Sequence, residues 1–504
     1  MRGVAIGLLL PWSCAAVAAT CPAPAFETGD FRLVDGTVDR GWPGGISLVD
    51  VDDDGDIDLL ATQGYDTSLG RLEANGSRLY LNDGQGGFGR APISGIDMVA
   101  RPASGSSWAD IDGDGDPDAF VPTQLRRADL YYRNIGDGRF IADDLGSATA
   151  TKGSNFSSTW ADLDSDGDMD LLVGGPALEA AEPMLVFRND AGRFVEIKDH
   201  PLNNGANNGG SVVAADFDND GDSDVLVANS DLSRRSNLPP APVEHPVLYR
   251  NDAGWKFVAT EGQGFASAAR FPALSTAIGD VDNDGDLDLV VGMVGDSKGP
   301  LRDRLLLNDG RGGFVAASAD FGEHRGMQAA LALADLNGDG NLDLLAAAYD
   351  EPIGIYPGDG RGGFAGKVVI DRRHSHSSAA VADLDGDGRL DVVIGSWAET
   401  TGGQPITLLM NRTPRCGGWT EILLRDASGA INPPGSRVTL VTQGGARQLR
   451  EASAQTGFRS LGASFFLFGV PTGDRLEKAI VRWPDGQVQV IANPPVNRRL
   501  TVRR

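Results

Sequence analysis

The chain has 504 residues, 68 of them glycine, with 7% aromatic content and a formal net charge of −26. That length exceeds one ordinary core and suits a repeat array followed by a further domain. No apolar run after residue 20 is long enough for a membrane-spanning helix, and so acidic a surface excludes nucleic acid as an expected partner.

The first twenty residues read as a secretory signal peptide. Arg2 supplies the charge, GVAIGLLLPW the short apolar core, and Ala16-Val17-Ala18 the small residues for cleavage. The expected location is secreted or periplasmic. Cys21 leaves a lipid-anchored alternative open, although Ala18-Ala19-Thr20 before it is a poor lipidation signal. Cys14 leaves with the signal, so Cys21 and Cys416 remain as a disulfide candidate, against two free thiols or a lipidated Cys21.

From Asp50 onward one nine-residue frame, D-x-[DN]-x-D-G-x-x-D, occurs seven times. Its first aspartates are Asp50, Asp110, Asp162, Asp216, Asp280, Asp335 and Asp383, at intervals of 60, 52, 54, 64, 55 and 48 residues. Periods of this size point to solenoids, propellers or module arrays. Before each loop lies a short stretch rich in Ala, Gly and Ser, such as Val212–Ala215, suited to strands crowded around an axis. After it comes a β-branched run such as LDLVVGM or LDVVIGS, then a third strand such as SRLYLND or PVLYRND. A Gly-rich turn ending in Phe88, Phe140, Phe194, Phe257, Phe314 or Phe364 then opens a fourth, outer strand. Four antiparallel strands per unit, seven times, predict a seven-bladed β-propeller over residues 21–416; a solenoid needs shorter, more regular repeats. The seventh unit stops at Arg412 without its Gly-turn-Phe, and Ala25–Asp35 is an orphan segment able to supply the missing strand. Cys21 and Cys416 flank that closure, and a bridge over so long a loop stabilises by roughly 4–5 kcal/mol.

Residues 417–504 change character. Short alternating stretches (GWTEILLRD, SRVTLVT, SFFLFGV, EKAIVRW, GQVQVIA) predict a small β-sandwich domain, so the fold class is all-β. This piece holds twelve Lys+Arg against six Asp+Glu, a net of +6, which leaves −32 for residues 1–416. It is therefore expected either to dock on the acidic repeats or to contact anionic envelope polymers.

The loops carry the chemistry. Calcium takes six to eight oxygens, and carboxylates at positions 1, 3, 5 and 9 with a backbone carbonyl at 7 can wrap it within one turn, the glycine at 6 permitting the bend. The candidate ligands are Asp50, Asp52, Asp54, Asp56 and Asp58; Asp110, Asp112, Asp114, Asp116 and Asp118; Asp162, Asp164, Asp166, Asp168 and Asp170; Asp216, Asp218, Asp220, Asp222 and Asp224; Asp280, Asp282, Asp284, Asp286 and Asp288; Asp335, Asn337, Asp339, Asn341 and Asp343; and Asp383, Asp385, Asp387, Arg389 and Asp391. An EF-hand is excluded because position 12 is apolar in all seven, from Ala61 to Ile394. Unneutralised, four or five carboxylates within nine residues repel. About seven Ca2+ sites are expected, magnesium being the poorer fit. Sites six and seven, with Asn337, Asn341 and Arg389, are expected to be weakest.

These features resemble integrin-alpha-type FG-GAP repeats (also called VCBS repeats), whose family fold is a calcium-bearing β-propeller, over roughly residues 25–412. The C-terminal region resembles the ASPIC/UnbV domain through Gly435-Ser436-Arg437-Val438, Gly457-Phe458-Arg459-Ser460, Phe466-Leu467-Phe468-Gly469-Val470 and Val481-Arg482-Trp483-Pro484-Asp485-Gly486. Pro433-Pro434 departs from the family's usual Ile-Gly-type entry. Together the two regions resemble the cartilage-acidic-protein-like family of secreted proteins, without a Cys-rich segment of the epidermal-growth-factor type following. The resemblance implies an extracellular calcium-binding scaffold.

On a propeller the acidic loops lie on one face. A candidate ligand face at the other end is assigned His200, His245, Arg270, His324, Arg325, His374 and His376. The expected function is binding or adhesion toward an extracellular protein or glycan, with calcium structural. The alternative is a propeller-based polysaccharide lyase or hydrolase, for which no G-x-S-x-G, H-E-x-x-H or cysteine nucleophile is present.

Overall fold

The computed structural model describes residues 21–29, 43–63, 76–91, 94–175, 183–203, 209–229, 245–260, 272–294, 301–324, 326–349, 351–372, 376–396, 406–454, 459–462 and 466–504. The expected signal segment lies outside them. Seven antiparallel sheets follow one another along the chain. Blade 1 runs Pro43–Val49, Asp58–Gln63, Arg78–Asn82 and Phe88–Arg90, from the axis outward. Its innermost strand is buried along almost its whole length, and Phe88 closes the blade's core. The innermost strands of the blades, Pro43–Val49, Ser107–Ala109, Ser157–Ala161, Ser211–Ala215, Ala273–Gly279, Gln328–Ala334 and His376–Ala382, pack side by side in that order, and the last meets the first. The Ala, Ser and Gly content of these strands is what lets seven backbones crowd one axis. Hydroxyl pairs seal the seams, Ser47 with Ser106 and Ser107 with Ser158, each at 2.7 Å.

The ring closes as the orphan segment predicts. Phe26–Gly29 pairs antiparallel with Ile406–Asn411 as the outermost strand of blade 7, Phe26 opposite Asn411. Residues 30–35 of the expected strand lie outside the described residues. Cys21 and Cys416 form a disulfide across the closure, with Cα atoms 5.4 Å apart. One outer strand differs from expectation. In blade 6 it begins at Val368, after Ala365-Gly366-Lys367, and Phe364 makes only a bridge to Gly358.

The C-terminal region is a two-sheet sandwich. One sheet orders Phe466–Pro471, Gly417–Arg425 and Arg498–Arg503; the other orders Arg447–Glu451, Arg437–Thr442, Leu476–Arg482 and Val488–Ala492. Ile422, Leu424, Val438, Leu440, Phe466, Phe468, Val481 and Trp483 fill the space between them.

The sandwich sits on the acidic-loop face, and residues 459–462 of this region reach into the ring's channel. Ser460–Leu461 pairs parallel with Ile46–Ser47, adding a fifth strand to the inner edge of blade 1. Around that strand the contacts circle the axis. Ser460 Oγ accepts from Ala379 N of blade 7 at 3.1 Å, the Arg459 guanidinium lies 4.8 Å over the Phe156 ring of blade 3, and Ala454 joins the Trp160 cluster. Gly45 and Gly105 permit this approach: a Cβ on Gly45 would stand 2.3 Å from the Arg459 carbonyl oxygen.

Candidate metal centres

Each acidic loop joins the innermost strand of its blade to the second. The turn needs left-handed backbone at two positions. The position-6 glycines take φ between 79° and 109°. Position 4 is also left-handed, and Asp53, Ser165, Asn219 and Asn283 adopt φ of 60–63° there. Asp and Asn tolerate that conformation better than other side chains, which explains the residue choice.

The fold converges positions 1, 3 and 9. Oxygens of Asp50, Asp52 and Asp58 lie within 4.8 Å of one another, and the same holds for Asp110, Asp112 and Asp118, Asp162, Asp164 and Asp170, Asp216, Asp218 and Asp224, and Asp280, Asp282 and Asp288. Position 9 is the buried anchor. In every loop its Oδ2 accepts the position-2 N–H and its Oδ1 accepts an N–H from the third strand, at 2.7–3.1 Å. Position 5 accepts the position-7 N–H, as Asp54 does from Asp56 at 2.9 Å. Asp166, Asp220, Asp284, Asp339 and Asp387 do the same for Asp168, Asp222, Asp286, Asn341 and Arg389. Arg389 also turns its guanidinium onto Asp387 and the Asn411 carbonyl, as its position in loop 7 suggests.

Burial first, and neighbouring carboxylates second (aspartates of the same loop at Asp50 and Asp280, Glu421 at Asp383), push these carboxyls up. Asp50, Asp280 and Asp383 rise to about 7. Burial lifts the anchors Asp58, Asp170, Asp224, Asp288 and Asp391 to about 8 against their N–H donors. A raised carboxyl contributes stability below its unfolded value, near 3.9, and loses it as pH climbs through the folded value. The metal-free protein is therefore expected to melt at a falling temperature between pH 5 and pH 8.5. In saturating calcium the trend should reverse, because the ion holds the carboxylates ionised and protons displace it. Calorimetric melts across that range, with and without chelator, check both signs.

A recurring asparagine at the end of the third strand escapes a reading centred on the loops. Asn134 donates from Nδ2 to Pro117 O of its own loop and to Val51 O of blade 1, at 3.3 and 2.9 Å. Asn82, Asn251, Asn308 and Asn411 likewise bridge their own position-8 carbonyl to the position-2 carbonyl of the preceding blade. Asn82 reaches Leu384 and so latches blade 1 to blade 7. Blade 6 has Gly358 in this place. Asn308→Ala strands two buried carbonyls and is expected to cost about 2–3 kcal/mol. Asn189, bonded to Met169 O at 3.2 Å, should cost about half that in chemical denaturation.

Among the described residues, His200, His324 and His376 have separate surroundings. His200 lies at the outer rim, edge-on to Trp255 and Phe257 with centroids at 5.6 and 5.4 Å, and Trp255 in turn donates to Asp164 of loop 3 at 2.8 Å. It thus sits toward the acidic-loop side. His324 is buried and satisfied by Asp303 at 2.9 Å and the Gly326 carbonyl at 3.2 Å. His376 is fully buried beside Ser396. His245 is exposed, and Arg270, Arg325 and His374 lie outside the described residues. The buried imidazoles of His324 and His376 have hydrogen-bond partners, as buried polar groups require. A cavity of about 750 Å3 opens instead on the acidic-loop side, between blades 1–3 and the sandwich, and Trp108, Arg133, Asp143, Ser428, Pro433 and Pro434 line it.

Basic residues of the sandwich meet the loops directly. Arg499 donates to the Gly55 carbonyl at 2.6 Å, Ser428 to Asp110 at 2.9 Å, and Arg425 pairs with Asp53. Arg450, half-buried, lies in the field of Asp335 and Asp280. Docking on the acidic ring is the outcome; basic side chains make part of the contact, and Leu449, Leu461 and Leu467 pack into blade clusters beside them.

Fold and site together define a β-propeller of seven acidic-loop blades carrying a docked C-terminal sandwich. Residues 50–121, 179–227, 280–346 and 335–394 match the family described as FG-GAP-like repeat, and residues 428–504 match the one described as ASPIC and UnbV. The chain is an FG-GAP-repeat protein with a C-terminal ASPIC/UnbV domain. No curated protein matches it. Among solved structures it is similar to a Photorhabdus luminescens Tc holotoxin pore (mutation TccC3-D651A), at 17% identity over 73% of this chain and 17% of that one, with a TM-score of 0.33. The architecture fits an extracellular repeat protein. The disulfide is consistent with an extracellular or periplasmic location, and no described helix is long and apolar enough to cross a membrane.

Proposed function

We propose that this protein is a secreted or periplasmic scaffold that binds an extracellular or envelope protein or glycan without catalysis, its acidic loops each holding a structural calcium ion. The observation that carries this reading is the repeated convergence of position-1, -3 and -9 carboxylates on one point per loop. The donor set is hard oxygen throughout, which selects calcium over softer-ligand metals. The position-1 Oδ1 atom of Asp50 and the position-3 Oδ1 atoms of Asp52, Asp164 and Asp385 are buried without a hydrogen-bond partner, as expected of oxygens reserved for an ion. Bound calcium would supply the positive charge that lets the clustered carboxylates stay ionised. The position-9 carboxylate orders the turn, and the asparagine latch passes that order to the next blade. Titration of calcium into the chelator-stripped full chain, followed by calorimetry, tests this; about seven sites are expected, with loops 6 and 7 weakest. A chain that takes up no calcium would remove the basis of the reading. Glycan arrays and capture of envelope proteins with the calcium-loaded chain would then identify the partner.

A further inference from the structure

The sandwich grips loop 1 at positions that its carboxylate cluster leaves free. Oxygens of Asp50, Asp52 and Asp58 converge within 4.8 Å of one another. Oδ1 of Asp50 and Oδ1 of Asp52 are buried without a hydrogen-bond partner, and among the described residues no other acidic loop leaves two such oxygens. Asp50 is only 8% exposed. Positions 4 and 6 are held by the sandwich instead: Arg425 pairs with Asp53, and Arg499 Nη1 donates to the Gly55 carbonyl at 2.6 Å. Both positions take left-handed backbone, at φ 60° and 95°. The Gly55 N–H in turn donates to Asp50 Oδ2 at 3.2 Å, so one residue joins the carboxylate cluster to the sandwich. The two arginines belong to one sheet. Glu421 lies in register with Arg499 and accepts from its Nε at 2.9 Å, and Arg425 follows four residues later on the Glu421 strand.

We propose that loop 1 is a calcium-dependent clasp: its ion and the C-terminal sandwich hold the same turn from different positions, so filling the loop fastens the sandwich at this edge of the ring. This rests on the calcium reading above. Gly55 is the shared residue. An ion that draws the Asp50 and Asp52 oxygens together fixes the turn through the Gly55 N–H, and the fixed turn presents the Gly55 carbonyl to Arg499 and the Asp53 carboxylate to Arg425. Arg425 and Arg499 are positioning residues; their bonds take neither of the unpartnered oxygens. Charge favours the arrangement. The six carboxylates of loop 1 and Glu421 give −7, and the two arginines give +2. A doubly charged ion brings −5 to −3, so the guanidinium groups leave its place unfilled. Without the ion, repulsion within the cluster opens a turn that already holds Asp53 in a conformation L-residues disfavour. By linkage, ion and contact strengthen each other equally. Loop 3 is the internal control. Asp164 Oδ1 is likewise buried without a partner, but Ser165 at position 4 bonds Asp222 of the next blade, and a Cβ on Gly167 would meet nothing within 4 Å.

Arginine-selective modification of the full chain with phenylglyoxal, read by mass spectrometry and paired with calcium counts by calorimetry, tests the coupling. Asp52→Asn with Asp54→Asn alters loop 1 at neither of the two positions the sandwich holds; Asp164→Asn with Asp166→Asn makes the same change in loop 3. Each pair is expected to lose one calcium, and only the loop-1 pair should speed modification at Arg425 and Arg499, by about fivefold or more. Exposed Arg139 of blade 2 sets the reference rate. If the loop-1 pair loses its ion and both arginines keep their rates, or the loop-3 pair exposes them equally, the coupling is wrong and the calcium scaffold stands. A loop-1 pair that keeps every calcium of the unaltered chain removes loop 1 as the site. If the unaltered chain binds no calcium, both readings fall. Should the loop-1 pair fail to fold, Asp54→Asn alone replaces it, at a calcium level that empties only the weakened site. A rise of about twofold at Arg425 and Arg499 is then expected, and unchanged rates would overturn the proposal.

Discussion

Chelating calcium from the full chain should lower its unfolding midpoint by more than about 10 °C. A ligand present at a hundred times its dissociation constant stabilises by about 2.7 kcal/mol per site, and the loops are numerous. Removing the ions also leaves raised, mutually repelling carboxylates at the core end of every inner hairpin, Asp50 and Asp280 among them. The loss should spread around the ring. The position-2 N–H bonded to the anchor aspartate belongs to the residue whose carbonyl receives the next blade's asparagine, as Val51 does between Asp58 and Asn134. Scanning calorimetry in calcium, magnesium and chelator checks this, with magnesium recovering only part of the midpoint.

Arg437→Ala is expected to be the most damaging single change at the domain interface, at about 3–5 kcal/mol. The substitution leaves Glu451 and Asp216 buried without their shared partner and frees the loop at Asn219. Replacing Arg437 and Glu451 together by apolar residues of similar volume should cost less than either single truncation, because no uncompensated charge remains. The exposed pair Arg504–Asp485 is the contrast: its removal should change stability by less than about 1 kcal/mol. Denaturant melts of the four variants, read by near-ultraviolet signals and by protease resistance of the sandwich, separate these outcomes.

The ring was legible because its determinants are local and repeated. The frame around Asp50, the Ala- and Ser-rich strand before it and the Gly-turn-Phe after the third strand each specify short-range geometry. The unit lacking its fourth strand announced its own closure by Phe26–Gly29. The asparagine latch was visible as a letter at the end of the third strand, in YLND or FRND, but its meaning depends on a carbonyl about 300 residues away in the case of Asn82 and Leu384. The charge asymmetry pointed to docking of residues 417–504. It carried no information that Arg459 and Ser460 run into the channel, since that rests on shape: the bare backbones of Gly45 and Gly105 and the width left by small inner-strand residues. The roles of the individual histidines were hidden for a related reason. Whether His324 points to solvent or to Asp303 is decided by packing, not by its place in a loop.

The most direct test of the central claim is an anomalous difference map from crystals of the full chain grown in calcium. A peak is expected inside the acidic loops, among the position-1, -3 and -9 carboxylates, with oxygens at about 2.3–2.6 Å. Loops without peaks at saturating calcium, or ions bound only elsewhere on the surface, would contradict the account.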